Sequence, residues 1–216
     1  MDIVPRNEAE QKVVDDFRYL YWANPEQTWR TTRWQGVLCR KAPTDLWIYQ
    51  EIIGTHRPET IVETGTFAGG SALFMAHMMD IAGIDGQVIS VDIQHPFPLP
   101  QHPKIKYIEG GSTDRATFKK VREMVKGDTM VVLDSDHFWS HVWTEMNLYG
   151  ELVTDNQYMI VEDTNIELSS NYRGVGPKRA VDQYLELYHD FEVVENCERL
   201  LLTQNPGGFL LKKESN

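Results

Sequence analysis

The sequence predicts an α/β fold built on a mostly parallel sheet, and three observations lead to it. Short runs of apolar and β-branched residues alternate with longer amphipathic segments from residue 60 to residue 188, which is typical of parallel strands joined by helices. Several of these runs end abruptly in acidic residues or in a glycine-rich turn, as strands do at the ligand-binding edge of an open sheet. The last two runs have no helix between them, which predicts an antiparallel hairpin at one edge.

The first 56 residues lack this alternation and are predicted to form a helical, aromatic-rich segment. Residues 7–23 carry apolar side chains at helical spacing, and residues 44–56 form a second helix that ends before Pro58. Four of the six tryptophans lie in the first 50 residues, which favours a lid over a binding site, a subunit contact, or both. Residues 57–216 are predicted to form the second unit, the sheet domain.

Strands and helices alternate regularly through this second unit. Its strands are predicted at residues 60–63, 87–93, 105–109, 129–133, 158–161, 191–195 and 208–212. Its helices are predicted at residues 71–82, 113–126, 138–152 and 177–188. Pro177 suits the first turn of the last helix, because the first helical residue needs no intrahelical partner for its N–H. The final two strands are separated by a short turn or by a third short strand.

The composition argues against nucleic acid and membrane as partners. The 21 basic and 32 acidic residues give a net charge of −11, whereas phosphate backbones select basic surfaces. No stretch approaches the ~20 apolar residues of a membrane span, and the N-terminus lacks the pattern of a signal peptide. A cytoplasmic location is therefore expected. Cys39 and Cys197 are isolated, with no metal or redox spacing, and are expected to be free thiols.

A glycine-rich turn, ETGTFAGGS at residues 63–71, follows the first strand of the sheet domain. Glycine lets a ligand approach the backbone closely at this edge of a sheet. The turn is not GxGxxG, and no Gly-Lys-Ser/Thr follows it, which argues against a dinucleotide or a nucleoside triphosphate. The alternative is a tight turn that only packs a helix against a strand.

An acidic residue, Asp92, ends the second strand (VISVD). A carboxylate at this position accepts hydrogen bonds from both hydroxyls of a ribose in nucleotide-binding sheets. Its place one strand after a glycine-rich turn favours that role over the alternative, a helix cap or a loop acid.

Two further strands end in acids, in VVLDSDH (residues 131–137) and MIVEDT (residues 159–164). Because the two strands are predicted neighbours, Asp134, Glu162 and Asp163 should converge at one edge of the sheet. Converging carboxylates repel one another unless a cation lies between them, and a hard divalent cation prefers oxygen ligands. The sequence therefore predicts a metal site at these three acids. Asp136 is a competing ligand, since alternate residues of an extended strand face the same way.

His137 lies three residues beyond the first predicted ligand. A neutral imidazole there suits a general base that takes a proton from a hydroxyl group held at the metal. A histidine is more often structural or exposed, and His141, about one turn further along the following helix, is a competing candidate.

The chain resembles class I S-adenosylmethionine-dependent methyltransferases. More narrowly, it is similar to the cephalosporin-hydroxylase-like group of metal-dependent O-methyltransferases, which includes rhamnosyl and macrolide-sugar O-methyltransferases. The resemblance extends from WQG at residues 34–36 to the final GGFLLKK. The motifs that carry it are ETGTFAGGS, VISVD, EGGSTD, VVLDSDH, VEDT and GVGPKRAV. The resemblance implies a Rossmann-like fold with a seven-stranded sheet and an N-terminal helical extension.

The resemblance also implies a role for each motif. The glycine-rich turn wraps the methionine part of S-adenosylmethionine, the acid after the second strand holds the ribose, and a serine after the third strand lies beside the adenine. The implied cofactor-binding residues are Glu63, Gly65, Phe67, Ser71, Asp92, Ser112 and Asp134. The implied ligands of Mg²⁺ are Asp134, Glu162 and Asp163.

The implied reaction is methylation of a hydroxyl group on a sugar or another diol-bearing natural product, with His137 as the catalytic base. Catechol enzymes have a lysine at the position of His137 and macrolide-sugar enzymes have a histidine, which favours an aliphatic hydroxyl over a phenol. Asp136 departs from the pattern as an additional acid. A homo-oligomer is expected. The candidates to stack on the acceptor, or else to form core and subunit contacts, are Trp29, Trp34, Tyr172 and Arg173.

Two rival functions belong to different classes. One is an oxygenase, because the family name records a hydroxylase, but a non-haem iron site typically uses two histidines and one carboxylate. The other is a non-catalytic binding protein that keeps the same fold. The acid trio and His137 favour the methyltransferase over both.

Overall fold

A seven-stranded sheet organises the chain in the computed structural model, which describes residues 7–23, 28–168 and 172–214. A short antiparallel ribbon precedes this sheet and consists of β1 (Arg33–Trp34) and β2 (Val37–Leu38). The strands of the sheet are β3 (Thr60–Thr64), β4 (Gln87–Asp92), β5 (Ile105–Glu109), β6 (Thr129–Leu133), β7 (Tyr158–Val161), β8 (Phe191–Val193) and β9 (Phe209–Lys212). The helices are α1 (Glu8–Ala23), α2 (Pro43–His56), α3 (Gly70–Ile81), α4 (Arg115–Met124), α5 (Trp139–Tyr149) and α6 (Pro177–Leu187).

The order of strands across the sheet is β5-β4-β3-β6-β7-β9-β8. Every pair from β5 to β7 is parallel, whereas β9 pairs antiparallel with both β7 and β8. The chain leaves β3 towards β4 on one side and returns to β6 on the other. This reversal opens a crevice at the carboxyl ends of β3 and β6, where open α/β sheets bind ligands. The predicted fold class and C-terminal antiparallel hairpin are confirmed.

Two apolar layers cover the two faces of the sheet. Successive strand residues point to opposite faces, so the neighbours Ile61 and Val62 of β3 belong to different clusters, and both are fully buried. The cluster that contains Ile61 also holds apolar residues of α2 and α3, and the cluster that contains Val62 holds those of α4, α5 and α6. The central strands β3, β6 and β7 are buried along their whole length, as expected for strands covered on both faces.

The structure differs from the sequence prediction mainly at element ends. The helix predicted at residues 138–152 ends at Tyr149 and continues as a 3₁₀ turn, Gly150–Leu152. The strand predicted at residues 191–195 ends at Val193, and a 3₁₀ turn, Glu195–Glu198, follows it, so the described residues there contain a turn and not a third strand. The β1–β2 ribbon was not predicted. No described helix has the length and apolarity required to traverse a lipid bilayer.

Candidate active site

A cavity of about 320 Å³ lies at the carboxyl ends of β3 and β6. Three parts of the chain supply most of its walls. They are Gly65, Thr66, Phe67, Gly70 and Ser71 after β3, Asp134, Ser135 and His137 after β6, and residues 38–41, which begin at the end of β2. Trp29, Asp163, Ile166 and Gln204 complete the lining. The cavity therefore joins the glycine-rich turn to the predicted metal site, and the β1–β2 ribbon forms a wall that the sequence did not predict.

Close backbone contacts explain two glycines of the turn. Gly65 has a φ of +90°, and a Cβ added there would lie 1.9 Å from the carbonyl oxygen of Asp134. A Cβ on Gly70 would lie 2.1 Å from the carbonyl oxygen of Leu38. Both approaches exclude any side chain. The first brings the strand ends of β3 and β6 together, and the second seats the start of α3 against the ribbon.

Glu63 and Ser71 form a buried hydrogen-bonded group behind the turn. The hydroxyl groups of Ser71 and Ser90 both donate to the Glu63 carboxylate, the latter at 2.6 Å. Burial raises the pKa of Glu63 to about 7, although Lys41 and the two hydroxyls oppose the shift. Ser71 lines the cavity, whereas Glu63 is fully buried beneath it. Direct contact between Glu63 and the cofactor stays a prediction.

Asp92 and Phe67 are connected across the ends of β3 and β4. The backbone N–H of Phe67 donates to Oδ2 of Asp92 at 2.8 Å. Phe67 adopts a φ of +50°, which few non-glycine residues do and which often marks a functional turn. Its ring contacts Phe97 with centroids 4.9 Å apart, and the Arg40 guanidinium lies 4.3 Å from the ring centre. The turn thus fixes the Asp92 carboxylate at the end of the second strand, where a ribose is predicted.

Ser112 and the competing base candidate His141 belong to a second polar cluster. The Nε2 atom of His141 lies 3.0 Å from Oγ of Ser112 and 3.1 Å from Oγ of Ser135. Ser135 also donates to Glu145, whose carboxylate is fully buried and raises the pKa of His141 by hydrogen bonding. His141 is not among the residues that line the cavity, whereas His137 is. Of the two candidates only His137 lies at the cavity, and its role as the base stays a prediction.

Among the described residues, Asp134, His137 and Asp163 form a candidate metal cluster, in which one possible ligand atom of each lies within 4.8 Å of the others. Nε2 of His137 lies 3.3 Å from Oδ2 of Asp163. Burial raises the pKa of Asp163 to about 7, with His137 acting in the opposite direction and Asp134 adding to the shift. One histidine with two carboxylates differs from the two-histidine iron site of an oxygenase.

A buried lysine, which the sequence analysis missed, lies among the same acids. The Nζ atom of Lys41 is 2.6 Å from Oδ2 of Asp134 and 2.7 Å from Oε1 of Glu162, and its side chain is 3% exposed. Burial alone lowers the pKa of Lys41, but the two carboxylates raise it well above its ordinary value. Lys41 follows the unpredicted β1–β2 ribbon, in a segment with no strand pattern, so no sequence signal connected it to the strand ends.

The Glu162 carboxylate contacts Lys41 and is not part of the candidate metal cluster. The Tyr49 hydroxyl donates to the same carboxylate oxygen of Glu162, which is buried. Both residues lie beyond the end of β7, and Asp163, which has a φ of +54°, lines the cavity, whereas Glu162 does not. The predicted role of Glu162 as a metal ligand therefore stays a prediction, and within the described residues it contacts Lys41 and Tyr49.

The remaining predicted site residues are placed as follows. Asp136 is exposed and accepts a hydrogen bond from the backbone N–H of Phe138 at 2.7 Å, outside the candidate metal cluster. Trp29 lines the cavity, whereas Trp34 packs on Phe74 in the core. The Tyr172 hydroxyl donates to the backbone carbonyl of His137 at 2.8 Å. Arg173 is exposed, and stacking of any of these residues on an acceptor stays a prediction.

Both cysteines are free and buried. Cys39 lines the cavity, and burial raises the pKa of its thiol to about 12. A thiol that stays protonated at neutral pH is a poor nucleophile, so Cys39 forms part of the wall of the cavity.

Comparison with solved structures gives the class of fold. A CmcI structure with magnesium and S-adenosylmethionine superposes with a TM-score of 0.70 at 24% identity, over 86% of this chain and 78% of that one. A structure of MycE, a methyltransferase of the mycinamycin biosynthetic pathway, superposes with a TM-score of 0.56 at 17% identity, over 77% of this chain and 48% of that one. The chain therefore has the α/β fold of methyltransferases, as the resemblance implied.

Sequence comparison gives the family. The model of the family described as rhamnosyl O-methyltransferase/CmcI matches residues 26–213. The rhamnosyl O-methyltransferase of Mycobacterium leprae is 35% identical over 211 residues, which cover 93% of this chain and 91% of that protein. That of Mycobacterium tuberculosis (strain H37Rv) is 32% identical over 213 residues, which cover 93% and 85%. The chain belongs to the rhamnosyl O-methyltransferase/CmcI family and is an S-adenosylmethionine-dependent O-methyltransferase.

Proposed function

We propose that the protein transfers the methyl group of S-adenosylmethionine to a hydroxyl group of a sugar-like diol, with Mg²⁺ held at the carboxyl ends of β6 and β7. The observation that carries the proposal is that the glycine-rich turn and the Asp134–His137–Asp163 cluster line the same cavity. A cofactor bound at the glycine-rich turn and a cation bound at the cluster would therefore occupy the same cavity. The relatives' name, rhamnosyl O-methyltransferase, supports a sugar acceptor.

The residues of the cluster fit a magnesium ion. Mg²⁺ prefers oxygen ligands at 2.0–2.1 Å, so opposed ligand atoms lie about 4.2 Å apart. Ligand atoms within 4.8 Å of one another on Asp134, His137 and Asp163 are close to that span. We propose Asp134 and Asp163 as ligands, with Glu162, the third acid predicted for the site, held behind them by Lys41 and Tyr49. When bound, the ion would act as a Lewis acid and as a template for two acceptor oxygens.

The chain's own residues then have distinct tasks. His137 takes the acceptor's hydroxyl proton on Nε2, and the nearby Asp163 carboxylate stabilises the resulting imidazolium. The acceptor oxygen forms a bond to the methyl carbon as the bond from carbon to the sulfonium sulfur breaks, which leaves S-adenosylhomocysteine. Tyr172 holds the backbone of His137 in place through its carbonyl group. Since little covalent chemistry falls to the protein, alignment of the two substrates supplies most of the rate.

A methyl-transfer assay on defined acceptors tests this function. The protein would be incubated with S-adenosylmethionine and one of three acceptors. The first is methyl rhamnoside, the second is a different sugar without vicinal hydroxyls, and the third is catechol. Mass spectrometry would follow the products. We expect a mass gain of one methyl group on the vicinal diol of the sugar, loss of turnover in excess EDTA, and recovery with Mg²⁺. Methylation of catechol alone, or full activity in EDTA, would contradict the proposal.

A further inference from the structure

Lys41 occupies a position between two acids of the site. Its ammonium contacts Asp134 and Glu162 at 2.6 and 2.7 Å, from a side chain that is 3% exposed. The described part of the chain brings no second lysine or arginine into ion-pair contact with Asp134, Glu162 or Asp163. Lys41 is therefore the fixed positive charge of a site that otherwise gathers three carboxylates.

The three carboxylates need positive charge whenever a metal ion is absent. Ionised groups a few ångströms apart in a partly buried site repel one another strongly, and removing one partner of a buried ion pair leaves an uncompensated charge. The ammonium of Lys41 offsets one of the three negative charges and joins the loop after β6 to the end of β7. In the metal-free site, the Lys41 ammonium therefore takes the place of a bound cation between Asp134 and Glu162.

The same contacts oppose the binding of a dication. Lys41 engages Oδ2 of Asp134, an oxygen that an ion at the cluster would otherwise attract. The ammonium also repels any cation held by Asp134 and Asp163. An interaction that stabilises the metal-free state more than the metal-bound state raises the dissociation constant of the metal.

We propose that Lys41 is a resident counter-cation, a positioning residue that holds the acids of the site together when no metal is bound. By stabilising the metal-free site, it weakens the binding of the divalent ion and keeps that ion exchangeable. The inference rests on the proposed function for the metal site alone. Tyr49 also donates to Glu162, so we expect Glu162 to keep its position when Lys41 is replaced.

The test compares Lys41→Met, which keeps the length of the side chain without its charge, with Lys41→Arg, which keeps the charge. Lys104→Met is the matched control, because Lys104 is also partly buried and ion-paired, with Asp80, but does not line the cavity. Two quantities are measured without cofactor or acceptor: the thermal midpoint of the metal-free protein, and the dissociation constant of Mn²⁺ from the electron paramagnetic resonance of the free ion.

We expect Lys41→Met to unfold at a lower temperature without metal and to bind Mn²⁺ at least about tenfold more tightly than the unsubstituted protein. Mn²⁺ should then raise its thermal midpoint by more than it raises that of the unsubstituted protein. Lys41→Arg should bind Mn²⁺ as the unsubstituted protein does, and Lys104→Met should leave the Mn²⁺ constant unchanged.

Weaker Mn²⁺ binding by Lys41→Met would overturn the inference, because it would mean that Lys41 supports the ligands in their binding positions. Equal binding would overturn it as well, because it would mean that Lys41 does not affect the metal. If Lys41→Met folds only with Mn²⁺, the inference is supported. If it does not fold at all, Lys41→Gln decides, since it keeps an N–H donor without charge and is expected to bind more tightly. Absence of Mn²⁺ binding in every variant would overturn the inference, whereas methyl transfer that persists in EDTA would overturn only the proposed function.

Discussion

The Nε2 atom of His137 lies 3.3 Å from Oδ2 of Asp163, at the carboxyl ends of two neighbouring parallel strands. Both residues line the same cavity as the glycine-rich turn. A carboxylate beside a histidine fixes the orientation of the imidazole ring. His137 is therefore placed in the cavity as the proposed proton acceptor, beside the position where the acceptor hydroxyl is proposed to bind.

Replacement of His137 by alanine tests that assignment. We expect Kd for S-adenosylhomocysteine to stay within twofold, because His137 is not part of the glycine-rich turn, and kcat to fall by at least ~10²-fold, the lower range of general-base contributions. Titration calorimetry and initial rates measure the two quantities. His189→Ala is the control, since His189 is exposed and does not line the cavity. Unchanged kcat in His137→Ala would remove this residue from the mechanism.

The affinity for metal should depend on pH through Asp163. Its pKa is raised to about 7 by burial and by nearby acids, and only the ionised carboxylate binds a cation, so protons and metal compete below that pH. The Mn²⁺ dissociation constant is expected to be nearly constant from pH 8 to 9 and to rise as pH falls from 7 to 5. Asp163→Asn should bind Mn²⁺ weakly at every pH. A flat profile between pH 5 and 8 would contradict the assignment.

Asp45 should make the stability of the protein fall as pH rises. Burial raises its pKa to about 7, and Oδ1 has no described hydrogen-bond partner. Between its unfolded and folded pKa values the folded protein binds more protons, so the free energy of unfolding decreases with pH in that window. Relative to the unsubstituted protein, Asp45→Asn is therefore expected to be more stable at pH 8 than at pH 5 in urea titrations. A difference independent of pH would show that Asp45 stays ionised throughout.

Gly65 should tolerate no side chain. An added Cβ would lie 1.9 Å from the Asp134 carbonyl oxygen, at a φ of +90°, so Gly65→Ala is expected to lose roughly 2 kcal/mol or more in the free energy of unfolding. Gly54→Ala is the matched control, because its Cβ meets no atom within 4 Å in the exposed last turn of α2. That control should gain stability by up to about 1 kcal/mol. Equal stability of the two variants would contradict the close approach of the strand ends.

The strand ends were predictable because a parallel sheet places them together. Asp92, Asp134 and Asp163 each follow a recognisable apolar run, and topology alone brings the ends of neighbouring parallel strands to one edge. The cofactor roles of individual residues rest on the resemblance and stay predictions. The division of the chain at residue 56 stays a prediction as well.

Two features of the site were not predictable from sequence pattern. Lys41 reaches Asp134 across 93 positions of sequence from an irregular segment, and such a tertiary contact leaves no periodic signal. The second feature is that only Asp163 of the Glu162–Asp163 pair lines the cavity, from a backbone after β7 in which Asp163 takes a φ of +54°. Both acids were assigned to the metal because they follow the same strand and match the ligand pair that the resemblance implies.

The position of a bound ion relative to the cofactor sulfur tests the central claim most directly. A crystal of the protein grown with S-adenosylhomocysteine and Mn²⁺ would show the ion through its anomalous scattering. The account predicts one ion held by Asp134 and Asp163, in the same cavity as the cofactor's sulfur and beside His137. An ion bound elsewhere, or a cofactor-filled cavity with no ion at these acids, would contradict it.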